Sequence, residues 1–321
     1  MFKKRNLVSR LWLKHTDKIR YKQYKWELRN QKQLAFANFI TEAEKLTSPE
    51  KIQNFAKQNG KVRLSHSGNA GDIIYALPTI DAIRRLTGAR IELYLRLGQP
   101  LILSGYNNHP LGNVMLNQKM AEMLIKLLRP QSYIDLVEIH TDQTIDIDLD
   151  YFRAGGIPLD KGNIARWCSY LTGVNPVLWK PWLTVEPDKS YSNIIVMARS
   201  ERYRNYTIDY KFMNKYPDIV FIGVESEYND IKKTIPHIRW VQVEDFMQMA
   251  RIIAGSKFFI GNQSFPYSIA EGLKVPRILE TSFEVINVVP EGDDGFDFFF
   301  QEHLESLVNT LNSRKEQITT A

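Results

Sequence analysis

Cysteine is almost absent. Cys168 is the one thiol in 321 residues, which excludes an intrachain disulfide and a thiolate metal cluster. Such usage fits a reducing compartment, so a cytoplasmic location is expected. Long apolar runs are missing too: none approaches the roughly 18 residues that a membrane-spanning helix requires. Arg10 and Lys14 interrupt the stretch where an export signal would need its apolar centre. The six histidines (His15, His66, His109, His140, His237 and His303) are scattered, and no pair has zinc-ligand spacing. No G-x-G-x-x-G and no Walker lysine follows the first strand of either predicted α/β half, which disfavours dinucleotide and P-loop functions.

Glycine is missing from residues 1–59, where Pro49 is the only proline. That composition predicts a helical arm: one helix over about 4–32, another over 33–46, and a short one entered through Ser48 and Pro49. The net charge of +6 is concentrated in the arm. Residues 1–32 hold eleven cations (Lys3, Lys4, Arg5, Arg10, Lys14, Lys18, Arg20, Lys22, Lys25, Arg29 and Lys32) against Asp17 and Glu27, a balance of +9 that leaves −3 for the remaining 289 residues. Leu7, Val8, Leu11 and Trp12 share a face, and Tyr21, Tyr24 and Leu28 extend the apolar set. Two readings compete. The arm either lies on an anionic membrane surface, peripheral to the inner face of the cytoplasmic membrane, or packs on its own globular part or a second subunit. Nucleic acid is not an expected partner, because no base-reading motif accompanies the charge.

The rest of the chain is organised around residues 61–88. A β-prone run, 62–66, stops at Ser67-Gly68-Asn69-Ala70-Gly71-Asp72, and a helical pattern follows through Ile73, Ile74, Leu77, Ile80, Ile83 and Leu86. Strand, glycine turn and helix make the first unit of a doubly wound α/β domain. Gly68 and Gly71 permit positive φ or a close approach by a ligand. The turn leaves helix amides and the positive dipole end exposed. Asp72 at that mouth is either a helix N-cap or a catalytic base. This first domain, 61–182, continues with a strand at 90–95, a loop containing Gly98, Pro100, Gly105 and Pro110, a helix at 118–128 and a strand at 133–140. Residues 142–150 alternate acid and aliphatic, which fits one half-buried strand better than a cation loop. A helix at 163–171 precedes a stiff connector at 175–182.

The second domain, 183–321, restarts the pattern. Strands are expected at 193–198, 218–222, 240–243, 257–260 and 276–279, with helices at 208–216, from Asp245, and at 267–273. Arg199-Ser200-Glu201-Arg202-Tyr203-Arg204 forms a charged loop after its first strand, and guanidinium groups there suit a diphosphate. Gly261-Asn262-Gln263-Ser264-Phe265-Pro266 has the features of a phosphate cradle at a helix start. Glu271 and Glu280 are expected on a helix surface or between the domains. Two such units in series predict two sheets whose carboxyl ends face a shared cleft.

The segment 67–78, with Gly71-Asp72-Ile73 and Leu77-Pro78, resembles the Gly-Asp-(Val/Ile)…Leu-Pro signature of glycosyltransferase family 9, the lipopolysaccharide heptosyltransferases. Residues 259–276 resemble that family's donor domain, and the likeness spans about 61–310. It implies a GT-B architecture: two Rossmann-like domains facing a cleft, here preceded by the basic arm. It also implies a metal-independent single displacement without cofactor, moving a sugar from a nucleotide-sugar to a cell-surface glycan or glycolipid. By the same resemblance Asp72 is the base, with Ser67, Gly68, Asn69 and Gly71 on the acceptor side. Arg199, Ser200, Arg202, Arg204, Glu225, Glu227, Asn262, Gln263 and Ser264 fall on the donor side, with Glu225 or Glu227 holding the nucleoside. The family's donor turn carries an aspartate, Thr-Gly and a histidine where this chain has Asn262, Gln263 and Ser264 without the histidine, so the donor stays open. Two rivals remain: a GT-B-shaped nucleotide-sugar epimerase, and a non-catalytic module that binds glycan or nucleotide.

Overall fold

The computed structural model describes residues 4–42, 44–101 and 112–314; Lys3, Gly105, His109, Pro110 and the side chain of Lys32 lie outside the described residues. Three helices open the chain: α1 (Leu7–Thr16), α2 (Lys18–Ile40) and α3 (Pro49–Asn59). The single helix expected over 4–32 breaks at Asp17. That residue is extended (φ −145°), and its carboxylate accepts the Arg20 amide at 2.9 Å, capping α2. Ser48 caps α3 in the expected way, with Pro49 in the first turn and Gly60 left-handed at the end.

Next come β1 (Lys61–His66), α4 (Ala70–Thr87), β2 (Arg90–Leu95), α5 (Gln118–Leu128), β3 (Leu136–Ile139), β4 (Ile147–Asp148) and α6 (Trp167–Thr172). Among the described residues the four strands form one parallel sheet, ordered β3-β2-β1-β4. The alternating acids at 142–150 do not make one strand. Three of the four carboxylates instead meet partners from elsewhere in the chain: Asp146 takes the Arg63 amide at 2.7 Å, Asp148 pairs with Arg96 at 2.6 Å, and Asp150 takes the Ser67 amide at 2.6 Å. Pairing along the backbone is confined to Ile147–Asp148, and a 3₁₀ turn, Leu149–Ala154, follows.

The second half contains β5 (Ile195–Ala198), β6 (Ile219–Ile222), α7 (Glu225–Lys232), β7 (Arg239–Val241), α8 (Phe246–Gly255), β8 (Phe258–Asn262), α9 (Phe265–Leu273), β9 (Arg277–Glu280), β10 (Gly295–Phe298) and α10 (Gln301–Ser313). Its six strands pair in parallel in the order β10-β9-β8-β5-β6-β7. The helix expected over 208–216 is a 3₁₀ segment, Tyr210–Lys215, while β10 and α10 complete the sheet beyond the elements expected from sequence. Strands buried on both faces are what such a sheet demands, and all residues of β5, β6, β8 and β9 are buried. Strand order reverses between β1 and β4 in the first sheet and between β5 and β8 in the second. Ligands of open α/β sheets bind outside the carboxyl ends at such reversals.

The connector is tied to both halves. Trp182 and Leu183 both donate their amides to the Gly272 carbonyl, at 2.9 and 3.0 Å, while Gln131 exchanges bonds with Thr184 and the Tyr133 hydroxyl reaches the Trp182 carbonyl at 2.5 Å. Glu271 and Glu280, expected on a helix surface or between the domains, are not at a surface: they are buried, at 1% and 0% exposure. A buried carboxylate needs a cation and hydrogen bonds to stay ionised. Glu271 has Arg277 at 2.5 Å, Lys274 and the Glu291 amide. Glu280 has the Arg199 fork at 2.7 and 2.8 Å, the Tyr210 hydroxyl and the Asn205 amide. Replacing Glu271 by alanine leaves Arg277 and Lys274 uncompensated, so Glu271→Ala is expected to lower unfolding free energy by about 3–5 kcal/mol. Urea titration measures this, and a loss under about 1 kcal/mol would contradict the account.

Candidate functional site

The first rim of the site grows from the turn after β1. Asn69 is the N-cap of α4 and Asp72 sits at the third helical position, accepting the Asn69 amide at 3.3 Å. Asp72 is therefore not the N-cap itself but the third-position carboxylate of a capping box around Asn69. Its Oδ2 also receives Arg153 Nη2 at 2.5 Å, and Arg153 reaches Asp150 at 3.4 Å and stacks over Phe152. Neither Gly68 nor Gly71 has positive φ. The need at Gly68 is for space: a Cβ there would stand 2.6 Å from Arg153 Nη2 and 2.7 Å from Asp72 Oδ2. His66 is buried, takes the Gly68 amide on Nδ1 at 2.9 Å, and packs against Phe152.

The second rim is the pair of turns after β5 and β8. Asn262 is fully buried and fixes the 199–204 loop. Its amide nitrogen donates to the carbonyls of Ser200 (3.0 Å) and Arg202 (2.6 Å), and its oxygen accepts the Ser200 amide at 3.0 Å. A carboxylate at this position would have no protons for those carbonyls. Tyr203 is held in the left-handed region at φ 58°, a conformation that a side chain adopts only when its surroundings enforce it. Arg199 is consumed by Glu280, and Arg204 by Asp230 (2.5 Å) and the Ser200 carbonyl (2.9 Å). At the start of α9 the Ser264 amide goes back to the Asn262 carbonyl and the Tyr267 amide to Ser264, while Pro266 has no N–H. The cradle is sparser than its sequence implied. The first-turn amide of Phe265, joined by those of Ala70 and Gly71 on α4, has no acceptor within its own helix.

These rims face each other. A Cβ on Gly71 would meet Phe265 Cα and Ser268 Oγ at 3.7 Å, so the two helix starts touch. Between the halves lies a cavity of about 580 Å³ lined by Asn69, Gly71, Asp72 and Tyr75 on one side and by Ser200, Arg202, Glu227, Gln263, Ser264 and Phe265 on the other. Ser67, Gly68, Arg199, Arg204, Glu225 and Asn262 do not line it; they hold its walls or stand outside them. Residues that sequence reasoning passed over also line it: Lys119, Met120 and Met123 of α5, then Trp240, Gln242, Phe246, Met249, Asn287 and Val288. Trp240 stacks on Tyr228 with centroids 5.4 Å apart and donates to the Gly223 carbonyl at 3.2 Å. An aromatic opening the short strand expected at 240–243 was its available sequence signal; Arg153 had none. Burial pushes the Glu227 carboxyl up to about 7, against backbone amides of Val224 and Glu201 and the Arg204 charge, which pull it down. Among the described residues no three metal-ligating side chains converge.

Two facing Rossmann-like sheets with their reversal points turned to one cavity are the GT-B architecture. Solved structures agree. The glycosyltransferase family 9 protein of Veillonella parvula is 9% identical, with a TM-score of 0.51 over 80% of this chain and 90% of its own. Escherichia coli heptosyltransferase WaaC with ADP is 11% identical, with a TM-score of 0.51 over 78% of this chain and 99% of its own. Escherichia coli ADP-heptose lipopolysaccharide heptosyltransferase II is 11% identical, with a TM-score of 0.52 over 78% and 98%. No family profile and no curated protein matches the sequence.

The raised Glu227 carboxyl sets a pH dependence. Between the ordinary 4.5 and about 7 the folded protein holds a proton that the unfolded chain has released. Stability from this group is present below 4.5 and is lost as pH rises through 7. Urea unfolding at pH 5 and pH 8 is expected to show a larger decline for the native chain than for Glu227→Gln. Equal declines would remove Glu227 as the cause.

Proposed function

We propose that the protein is a glycosyltransferase that moves a sugar from a nucleotide-sugar to a hydroxyl of a cell-surface glycan or glycolipid by single displacement. One observation carries the reading: Asp72 and the start of α9 border the same interdomain cavity, from opposite sheets. The fold shared with family 9 transferases supports it, and a solved relative named as bound to ADP supports a nucleoside diphosphate as the leaving group.

In this reading Asp72 acts as general base. Arg153 and the Asn69 amide fix its carboxylate through Oδ2, so Oδ1 is the oxygen offered to the acceptor hydroxyl. The hydroxyl proton passes to Asp72 and the acceptor oxygen bonds to the anomeric carbon. The bond from that carbon to the diphosphate oxygen breaks, its electron pair leaving with the nucleoside diphosphate. Charge on the departing diphosphate falls to Arg202 and to the amides at the starts of α9 and α4. Glu227 and Trp240 also line the cavity and suit the nucleoside. A carboxylate takes ribose hydroxyls, and an indole face takes a base. The displacement is drawn without a metal ion, the positive charge coming from the protein.

The test begins with nucleoside diphosphates added singly, since a ligand of the folded form raises the melting temperature. The matching nucleotide-sugar is then assayed for nucleoside diphosphate release and transfer. Asp72→Asn is expected to keep the thermal shift and to lose about 10²–10⁴ of the rate. Full activity in that variant would refute the assignment of the base. Conversion of the free donor to its epimer would point to an epimerase, and binding without turnover to a non-catalytic module. Excess chelator is expected to leave the rate unchanged, and loss of activity that added divalent ions restore would overturn the metal-free scheme.

A further inference from the structure

The arm carries an observation that the transferase reading does not use. The far half of α2 is anchored on the first domain: Phe39 meets Tyr151 edge-on at 5.1 Å, and Phe36 lies so close to Gly156 that a Cβ there would overlap its ring. The near half and α1 are not covered. In these two stretches Leu13 and Tyr24 are buried, and the Arg5 amide donates to the Tyr24 hydroxyl at 3.0 Å. On the other side of α1, Leu7 is 67% exposed, Val8 75%, Leu11 49% and Trp12 65%. At about 100° per residue these four occupy an arc of about 140°, centred almost opposite Leu13. An apolar face this exposed, on a helix that already has a buried face, is unpartnered in the isolated chain.

The charge beside it is as ordered. Lys18, Lys22, Lys25 and Arg29 recur at spacings of four, three and four along α2, and all four are exposed. They make one cationic stripe about 17 Å long. Asp17, one of two acids in residues 1–32, is used as the cap of α2. No helix among the described residues is long and apolar enough to cross a bilayer, so the arm has the means to lie on one and not to span it.

We propose that residues 4–32 dock the protein flat on a bilayer surface bearing acidic phospholipid, with Leu7, Val8, Leu11 and Trp12 entering the acyl boundary and the α2 stripe meeting the headgroups. An amphipathic helix with Trp and Leu on one side and a neighbouring basic stripe is built for that interface. A second copy is the poorer occupant. Arm against arm would oppose two segments of +9, and the remaining 289 residues offer only −3. A nucleic acid would satisfy the stripe but leave the apolar face in water. The inference is independent of the transferase reading.

The full chain is sedimented with vesicles of phosphatidylcholine alone and with vesicles containing phosphatidylglycerol. Binding is expected only to the acidic vesicles and is expected to weaken as salt rises. Each basic residue near such a surface contributes about fivefold to partition, so Lys22→Glu with Lys25→Glu is expected to lower it by at least about 25-fold. Leu11→Asp with Trp12→Asp is expected to abolish it, though the charge balance falls by only two. Both variants should keep the far-ultraviolet circular dichroism and any nucleotide-induced thermal shift of the native chain, which separates failure of docking from failure of the active-site reading. Equal partition to neutral vesicles, no partition at low salt, or indifference to both pairs of substitutions would overturn the proposal. So would an arm-dependent dimer lost in Leu11→Asp/Trp12→Asp, or a nucleic acid fragment that displaces the protein from acidic vesicles.

Discussion

Two helices that begin at one place set the terms for this molecule. The start of α4 lies against the start of α9, with Gly71 close enough to Phe265 that a methyl group would fill the contact. Each helix brings the positive end of its dipole and amides without partners in their own helix. Bringing two such ends together is unfavourable unless something negative joins them. Asp72 supplies one fixed negative charge, and an anionic ligand in the cavity would supply more. The strand reversals in both sheets follow the same demand, because they leave the carboxyl ends of β1 and β5 open toward that meeting point.

Around this junction most of the arginines support the walls. Arg199 grips Glu280, Arg204 grips Asp230, Arg277 grips Glu271, and Arg153 bridges Asp72 and Asp150. Arg199 and Arg204 tie the 199–204 loop to β9 and α7, whereas Arg277 and Glu271 join β9 to α9. Asn262 works alongside them, holding two carbonyls of the 199–204 loop while Tyr203 is kept at positive φ. The ionic groups give geometry to loops that regular structure does not reach, a use better attested for buried ions than net stabilisation.

Much of the architecture was legible because parallel sheets write themselves as apolar runs ended by glycine turns. β1 and β8 were readable in this way, and β5 as an apolar run ended by the charged 199–204 loop; the facing of residues 67–72 toward 261–266 was legible too. The Asp142–Asp150 stretch misled because period-two alternation carries no sign of which carboxylates will be taken by Arg63, Arg96 and Arg153 from elsewhere in the chain. The surface alternative for Glu271 and Glu280 failed because a carboxylate can be buried when a cation is folded beside it, as Arg277 is beside Glu271 and the sequence-distant Arg199 beside Glu280. Asp17 was a helix breaker visible in type but not in effect, since its capping role depends on an extended backbone at that point. Of the cavity, residues near glycine turns were legible; Trp240 and the methionines of α5 and α8 reach it only through tertiary packing, and Arg153 acts behind its wall through Asp72.

The seam between the halves has a mechanical meaning. The covalent strap at 182–184 is bonded on both sides, and beside the cavity the two halves, which share one buried apolar core, are joined again by polar bonds. The Ile164 amide reaches the Asn287 carbonyl, the Ile286 amide the Asp160 carbonyl, and Asn287 the Leu159 carbonyl. The seam is thus fastened twice, by the strap at one end and by the 159–164/286–287 contact beside the cavity. Ile164 and Asn287 also line the cavity. Whatever fills the chamber thus rests on the seam itself as well as on the two sheets.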